Sequence, residues 1–258
     1  MNKKVVELHH KVLGQGAPII ILHGLFGTLD NWQTIGKALS EHYTVYLMDQ
    51  RDHGRSPHTQ AINYTLMAED LRHFMESNWI FKAHIMGHSM GGKTAMQFAL
   101  HNPDMVVQLI VVDIAPKNYT GGHESIFDAI LALDLNTIES RAEAAVFLQS
   151  KLNDNGVVQF LMKNLTRSKE GKYEWKMNLP VIHQNYAAIL SNVDAQQSFE
   201  GNTLFIRGAD SNYIQDSDWQ LILQKFPNAS LATIPNAGHW VHADQPVLLF
   251  QTVQQFLK

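Results

Sequence analysis

The fold is decided by one stretch of the chain, Ile85-Met86-Gly87-His88-Ser89-Met90-Gly91-Gly92-Lys93. The apolar residues at its start predict a buried strand, and the residues after its glycines continue in a helical pattern. Gly87 and Gly91 lie two residues before and after Ser89, where small residues allow the sharp strand-to-helix turn that exposes a nucleophile. The pattern therefore predicts a nucleophilic Ser89 at a helix start, and a serine that only caps an ordinary turn is the alternative.

Short apolar runs and helical patterns alternate on both sides of this stretch. The runs that predict strands buried on both faces are residues 19–22, 45–48, 83–86, 109–112, 203–206 and 230–234. The helical patterns between them are residues 31–41, 65–77, 89–101, 217–226 and 245–257. This alternation predicts an α/β fold with a mostly parallel central sheet flanked by helices.

One segment, at about residues 117–199, interrupts the alternation. It has no convincing buried strand and instead shows helical stretches, at residues 125–133, 138–152, 157–165 and 180–190. We expect a helical cap inserted over the carboxyl edge of the sheet, where open α/β sheets bind their ligands. No repeat or low-complexity linker divides the chain, so residues 1–258 are predicted to form one domain that carries this cap.

A serine nucleophile needs an imidazole beside it to take its proton. His239 follows the last predicted strand and precedes the final helix, which puts it on a loop after Ser89 in the chain. His242 is the local competitor, and His88 is interpreted as packing beside the turn. His53 is expected to support the site from a hydrogen-bonded turn. The prediction for the base is His239.

Backbone N–H groups are expected to stabilise the negative oxygen of an acyl-transfer intermediate. The residue after the nucleophile, Met90, supplies one such group. The second is expected from the glycine-flanked loop after the first buried strand, where Leu25 follows His23-Gly24. Phe26 is the alternative donor.

Two carboxylates lie at strand ends between Ser89 and His239 in the sequence. Asp113 directly follows the strand at residues 109–112, and Asp210 follows the strand at residues 203–206. Either carboxylate could orient the histidine and stabilise its protonated form. From the residues alone, both remain candidates for the acid.

Composition narrows the classes of function. The 258 residues carry a formal net charge of −4, which implies no basic face for nucleic acid. The absence of cysteine excludes thiol nucleophiles and thiolate metal sites. No metal-ligand spacing and no dinucleotide-binding glycine pattern occurs, so no metal and no cofactor is expected. No apolar run has the length of a membrane span, and a cytoplasmic protein is expected.

Aromatic side chains of the cap and of the loops are candidates for an acyl pocket, although aromatics at helical spacing more often belong to a core. The candidates are Phe26, His88, Phe127, Phe160, Trp175, Tyr213 and Trp240.

Several motifs together resemble the α/β-hydrolase superfamily, and within it the bacterial YbfF-type esterases and their mitochondrial abhydrolase-domain relatives. The motifs that carry the resemblance are residues 23–27, 49–56, 87–93, 113–116 and 236–242, with residues 159–165 and 173–178 in the cap. The resemblance implies hydrolysis of carboxylic esters and of acyl-CoA thioesters, so that the expected substrate is a small molecule, either an acyl ester or an acyl-CoA.

The resemblance also bears on the acid. Many α/β-hydrolases carry an aspartate three residues after the glycine that closes the later strand, and this chain has Ser211 there. YbfF-type proteins keep an aspartate that matches Asp113, so the resemblance favours Asp113 over Asp210. Hydrolysis of a carbon–carbon bond or other chemistry of this fold, and a non-catalytic binding role, are the competing functions.

Overall fold

A computed structural model describes residues 5–194 and 196–258 of the chain. The strands are β1 His10–Leu13, β2 Ala17–Leu22, β3 Tyr43–Met48, β4 Ala83–His88, β5 Val106–Val112, β6 Leu165–Arg167, β7 Tyr173–Trp175, β8 Thr203–Gly208 and β9 Ala229–Ile234. The α-helices are α1 Gln33–Leu39, α2 Tyr64–Ser77, α3 Met90–His101, α4 Glu124–Ala132, α5 Arg141–Lys151, α6 Asn155–Met162, α7 Leu179–Gln184, α8 Tyr186–Leu190, α9 Trp219–Lys225, α10 Val241–Asp244 and α11 Pro246–Leu257.

Seven strands form the central sheet, in the order β1-β3-β2-β4-β5-β8-β9. Every neighbouring pair is parallel except β1 with β3, which is antiparallel at the edge. The predicted α/β class with a mostly parallel sheet is confirmed, and each of the six predicted strands falls within an observed one. Because β4 is central and all its residues are buried, the turn that follows it lies in the middle of the sheet's carboxyl edge.

Helices cover both faces of the sheet, as parallel sheets require. On one face α2, α3 and α9 bury side chains such as Phe74, Phe98 and Ile222 against the strands. On the other face α1 and α11 bury side chains such as Leu39 and Leu249. No helix in the described part of the chain is long and apolar enough to cross a membrane.

Helices α4 to α8 lie between β5 and β8, in the predicted cap segment. They have a hydrophobic core of their own, which also includes Leu25, Phe26 and Met90 from the loops beneath. One prediction needs correction: α6 ends at Met162, and Leu165 instead begins a two-stranded antiparallel hairpin, β6–β7. Strands of three residues are too short to show the alternation of apolar and polar residues that identifies a strand in sequence.

Candidate active site

Ser89 occupies the sharp turn between β4 and α3. Its backbone has φ 52° and ψ −119°, and residues other than glycine rarely adopt such a positive φ. A Cβ atom on Gly87 would lie 2.1 Å from the carbonyl oxygen of Gly91, and one on Gly91 would lie 2.4 Å from the carbonyl oxygen of Leu22. Both glycines are therefore required by the close approach of backbone to backbone, and the strained turn holds the serine at the sheet edge.

The three residues Ser89, His239 and Asp113 form one chain of hydrogen bonds. Nε2 of His239 lies 2.9 Å from Oγ of Ser89, and Nδ1 of His239 lies 2.8 Å from Oδ2 of Asp113. With the Nδ1 proton donated to the carboxylate, Nε2 faces the serine hydroxyl as an acceptor. The arrangement can take a proton from Ser89 and stabilise the imidazolium that results.

Asp113 lies at the carboxyl end of β5 and is fully buried. Its Oδ1 accepts a hydrogen bond of 3.1 Å from the N–H of Gly208, and its Oδ2 accepts one from the hydroxyl of Ser211. Asp210 is exposed, and its backbone N–H donates to the carbonyl oxygen of Ala237. The structure thus brings Asp113, and not Asp210, into contact with His239.

The loop after β2 and the start of α3 present backbone N–H groups near Ser89. Within residues 5–194 and 196–258, no group accepts a hydrogen bond from the N–H of Leu25 or of Met90. The N–H of Phe26, the alternative donor, points instead to Nε2 of His53 at 3.3 Å. The N–H groups of Leu25 and Met90 therefore have no protein acceptor in the described part of the chain, and an N–H group without an acceptor can bind a negatively charged oxygen.

Contacts on both sides of Phe26 hold this loop. Phe26 has a positive φ of 59°, and its carbonyl oxygen accepts a hydrogen bond of 2.6 Å from Nδ2 of Asn164, which comes from the cap. His53 binds the preceding peptide, in agreement with the supporting role predicted for it. The N–H of Gly27, in the peptide that follows Phe26, donates a hydrogen bond of 3.0 Å to the carbonyl oxygen of Gly24, and the peptide of that carbonyl carries the Leu25 N–H. The direction of the Leu25 N–H is therefore held through this series of contacts.

Burial sets the protonation of the site. Desolvation lowers the pKa of His239, so the imidazole is neutral near pH 7 and free to accept a proton. Burial raises the pKa of Asp113, while the hydrogen bonds from Ser211 and Gly208 act in the opposite direction. The net effect raises the pKa of Asp113 to about 7, and these hydrogen bonds limit the rise.

Two neighbouring side chains fix the position of His239. The ring of Tyr213 stacks on the imidazole, with 3.6 Å between the ring centroids and 13° between the planes. Nε2 of His88 lies 2.8 Å from the carbonyl oxygen of His239 and can donate a hydrogen bond to it. His88 thus packs beside the turn, as the sequence predicts, and also supports the loop that carries the histidine.

A cavity of about 420 Å³ opens onto Ser89 between the cap and the sheet edge. Among the predicted pocket residues, Phe26, His88, Phe160, Tyr213 and Trp240 line it. Phe127 and Trp175 are not on its wall. Phe127 is buried and packs edge-to-face on Phe26, with ring centroids 5.1 Å apart, and Trp175 packs on the cap core from β7.

A second cavity, of about 30 Å³, also reaches Ser89. Its wall combines Leu25 and Met90 with Tyr119 and with Tyr186 and Ile189 of the cap.

Ser211 and Asn164 were not among the residues predicted for the site. For Ser211 a signal exists, since it occupies the position where related folds carry an acid. For Asn164 no local signal exists, because its only link to the site is a contact between the cap and a loop far away in the chain.

The chain is similar to known proteins at the level of family, sequence and overall structure. A family model described as alpha/beta hydrolase fold matches residues 17–246. Esterase YbfF of Escherichia coli (strain K12) is 35% identical over 242 residues, which cover 93% of this chain and 93% of that protein. The sn-1-specific diacylglycerol lipase ABHD11 of Danio rerio is 37% identical over 254 residues, covering 95% of this chain and 80% of that protein. The solved structure of a marine microorganism esterase superposes with a TM-score of 0.96 at 42% identity, covering 97% of this chain and 99% of that one.

Proposed function

The chain belongs to the α/β-hydrolase family, and from that membership we propose that it is a serine esterase that hydrolyses carboxylic esters through an acyl-enzyme on Ser89. The observation that carries the proposal is the continuous hydrogen-bonded chain from Ser89 through His239 to Asp113. A protein that only bound ligands would have no need of a strained serine aligned with a neutral, oriented imidazole.

In the first half of the reaction, Oγ of Ser89 attacks the ester carbonyl carbon while Nε2 of His239 takes the hydroxyl proton. The carbonyl oxygen becomes negative and accepts hydrogen bonds from the N–H groups of Leu25 and Met90. The bond to the alcohol oxygen then breaks, and His239 gives its proton to that oxygen. Asp113 stabilises the imidazolium throughout.

In the second half, water replaces the alcohol. His239 takes a proton from the water, whose oxygen attacks the acyl carbon, and the bond to Oγ of Ser89 breaks. Ser89 recovers its proton, and the carboxylic acid leaves.

The names of the relatives support an ester as the bond that is cleaved, since one is called an esterase and another a lipase. An acyl-CoA thioester would be cleaved by the same steps. Comparing a p-nitrophenyl ester with the CoA thioester of the same acid tests which bond the enzyme prefers.

Labelling with a fluorophosphonate probe, which reacts only with an activated serine, tests the serine mechanism. We expect labelling of the wild type and none of Ser89→Ala. The matched control is Ser211→Ala, which removes a hydroxyl close to the site and should still be labelled. Absence of labelling in the wild type, or equal labelling of Ser89→Ala, would contradict the proposal, and a carbon–carbon bond hydrolase would be labelled without hydrolysing the esters.

A further inference from the structure

Two cavities of very different size meet at Ser89, one of about 420 Å³ and one of about 30 Å³. Both touch Leu25 and Tyr213, so a substrate bound at Ser89 can place one part in each. An ester consists of an acyl group and a leaving group, and each of them occupies one of the two cavities.

The position of His239 determines which cavity holds the leaving group. In the tetrahedral intermediate the carbon carries Oγ of Ser89, the negative oxygen, the leaving oxygen and the acyl chain. The leaving oxygen must come within hydrogen-bond reach of Nε2 of His239, which protonates it. His239 lines the larger cavity and is not on the wall of the smaller one.

The leaving group therefore extends into the larger cavity. The negative oxygen points to the N–H groups of Leu25 and Met90, and Oγ lies on the side of the serine. The remaining direction for the acyl chain is the smaller cavity, whose wall includes Met90 and Ile189.

The size of the smaller cavity limits the acyl chain. This cavity has about 30 Å³ against about 420 Å³ for the larger cavity, so it offers much less space to a substituent. A cavity this much smaller favours a short acyl group, such as acetyl, over a long one. A chain of several further methylenes would overlap the wall, which costs on the order of 1–3 kcal/mol in a close-packed interior.

Hydrogen bonds make that wall rigid. Nζ of Lys93 donates to the carbonyl oxygens of Leu190 and Ser191, at 3.1 and 2.5 Å, and so holds the end of α8. The hydroxyl of Tyr64 donates to the carbonyl oxygen of Ile189 at 2.5 Å. The cap residues behind the smaller cavity are therefore tied to α2 and α3 of the sheet layer, and they resist displacement by a longer chain.

From these contacts we propose that the preferred substrate joins a short acyl group to a bulky leaving group. The inference rests on the proposed serine esterase function and deepens it. The larger cavity accepts a bulky alcohol or a bulky thiol, and the two differ in the chemistry of the leaving atom.

The first test measures kcat/KM for p-nitrophenyl acetate, propionate, butyrate and octanoate, which share one leaving group. We expect the value to fall by about tenfold or more between propionate and octanoate. A parallel series keeps the acetyl group and enlarges the leaving group among phenols of similar acidity, from phenyl acetate to naphthyl acetate, with acetyl-CoA as the thiol member. Because the reactivity of these phenols as leaving groups is similar, we expect kcat/KM to hold or rise as the leaving group grows.

Two variants assign the cavities. Ile189→Ala enlarges the smaller cavity and should raise the ratio of kcat/KM for butyrate over acetate by about tenfold. Val157→Ala is the matched control, because Val157 lines only the larger cavity, and it should leave that ratio unchanged. The ratio does not depend on the amount of folded enzyme, and Ile189→Val replaces the first variant should it fail to fold.

A wild type that prefers octanoate, or a change of acyl preference in Val157→Ala instead of Ile189→Ala, would overturn the assignment. Either result still requires ester hydrolysis by Ser89. Failure of the proposed function looks different, with no ester hydrolysed and no labelling by the fluorophosphonate.

Discussion

The hydroxyl of Ser211 donates a hydrogen bond to Oδ2 of Asp113, the same oxygen that contacts Nδ1 of His239. Ser211 occupies the position where many α/β-hydrolases carry the acid. In this chain the carboxylate comes from the end of β5, and the residue at the customary position supports it with a hydroxyl. The hydroxyl of Ser211 lowers the pKa of Asp113, whereas a second carboxylate at that position would raise this pKa by repulsion.

Replacing the acid should remove most of the activity. Asp113→Asn should lower kcat by roughly 10³- to 10⁴-fold, because an amide cannot hold the histidine in the correct tautomer. Asp210→Asn is the matched control and should stay within about twofold of the wild type, since its side chain is exposed. Steady-state hydrolysis of p-nitrophenyl acetate measures both. Near-normal activity in Asp113→Asn would rule out Asp113 as the acid.

Removing the Ser211 hydroxyl should lower the activity that depends on Asp113 without abolishing that activity. A hydrogen bond to a charged group contributes roughly 1.5–3 kcal/mol, so Ser211→Ala should lower kcat by about tenfold or more. That hydrogen bond lowers the pKa of Asp113, so its loss raises this pKa. Because activity needs the ionised carboxylate, the acidic limb of the kcat/KM profile should move to higher pH.

Ser211→Thr keeps a hydroxyl and serves as the control, with a profile close to that of the wild type. An unchanged acidic limb in Ser211→Ala would show that the hydroxyl only fills space.

Asn164 should act on the reaction through the loop that carries Leu25. Asn164→Ala removes the hydrogen bond to the carbonyl oxygen of Phe26 and frees the Phe26–Gly27 peptide, whose N–H holds the carbonyl oxygen of Gly24 and, through it, the peptide that carries the Leu25 N–H. Because the negative oxygen exists only in the transition state and intermediate, kcat should fall by about tenfold while KM changes little.

The control for Asn164 is Asn185→Ala, since Asn185 is also a cap asparagine and its side chain bonds only a carbonyl oxygen of α7. The amount of competent enzyme is taken from fluorophosphonate titration, so that unfolding is not counted as lost catalysis. A rise in KM at unchanged kcat would speak against a role in oxyanion stabilisation.

The thermal stability should fall on acidification from pH 7 to pH 5. Burial lowers the pKa of His23 to about 4, of His53 to about 3 and of His88 to about 3, and it also lowers the pKa values of His239 and His242. Below pH 6.5 the unfolded chain binds protons at these histidines while the folded chain does not, so each costs about 1–2 kcal/mol of stability by pH 5.

Three aspartates oppose this trend, because burial raises the pKa values of Asp49, Asp70 and Asp113. The histidines outnumber them, and the net effect should be a lower Tm at pH 5, measured by calorimetry. His242→Gln should reduce the number of protons taken up on unfolding by about one. A Tm that is constant from pH 7 to pH 5 would contradict the expectation.

The features that depend on local backbone geometry and on the periodicity of apolar residues could be predicted from the sequence alone. The turn at Ser89 can be recognised in the sequence because the backbone approaches so closely at Gly87 and Gly91 that only glycine fits there. The alternation of apolar runs and helical patterns determined the parallel sheet, and the order of elements placed His239 at its carboxyl edge, because the ends of parallel strands share one edge.

The contacts between side chains that are far apart in the sequence could be seen only in the folded structure. Asp113 follows β5 and His239 follows β9, and the two side chains meet although β8 lies between these strands in the sheet. Asp210 follows β8 itself and yet is exposed. Phe127 and Phe160 both belong to the cap, yet only Phe160 lines the larger cavity, since the orientation of each cap helix over the sheet selects the exposed face. Such contacts depend on the packing of elements that are far apart in the chain, and the local pattern of apolar residues does not predict that packing.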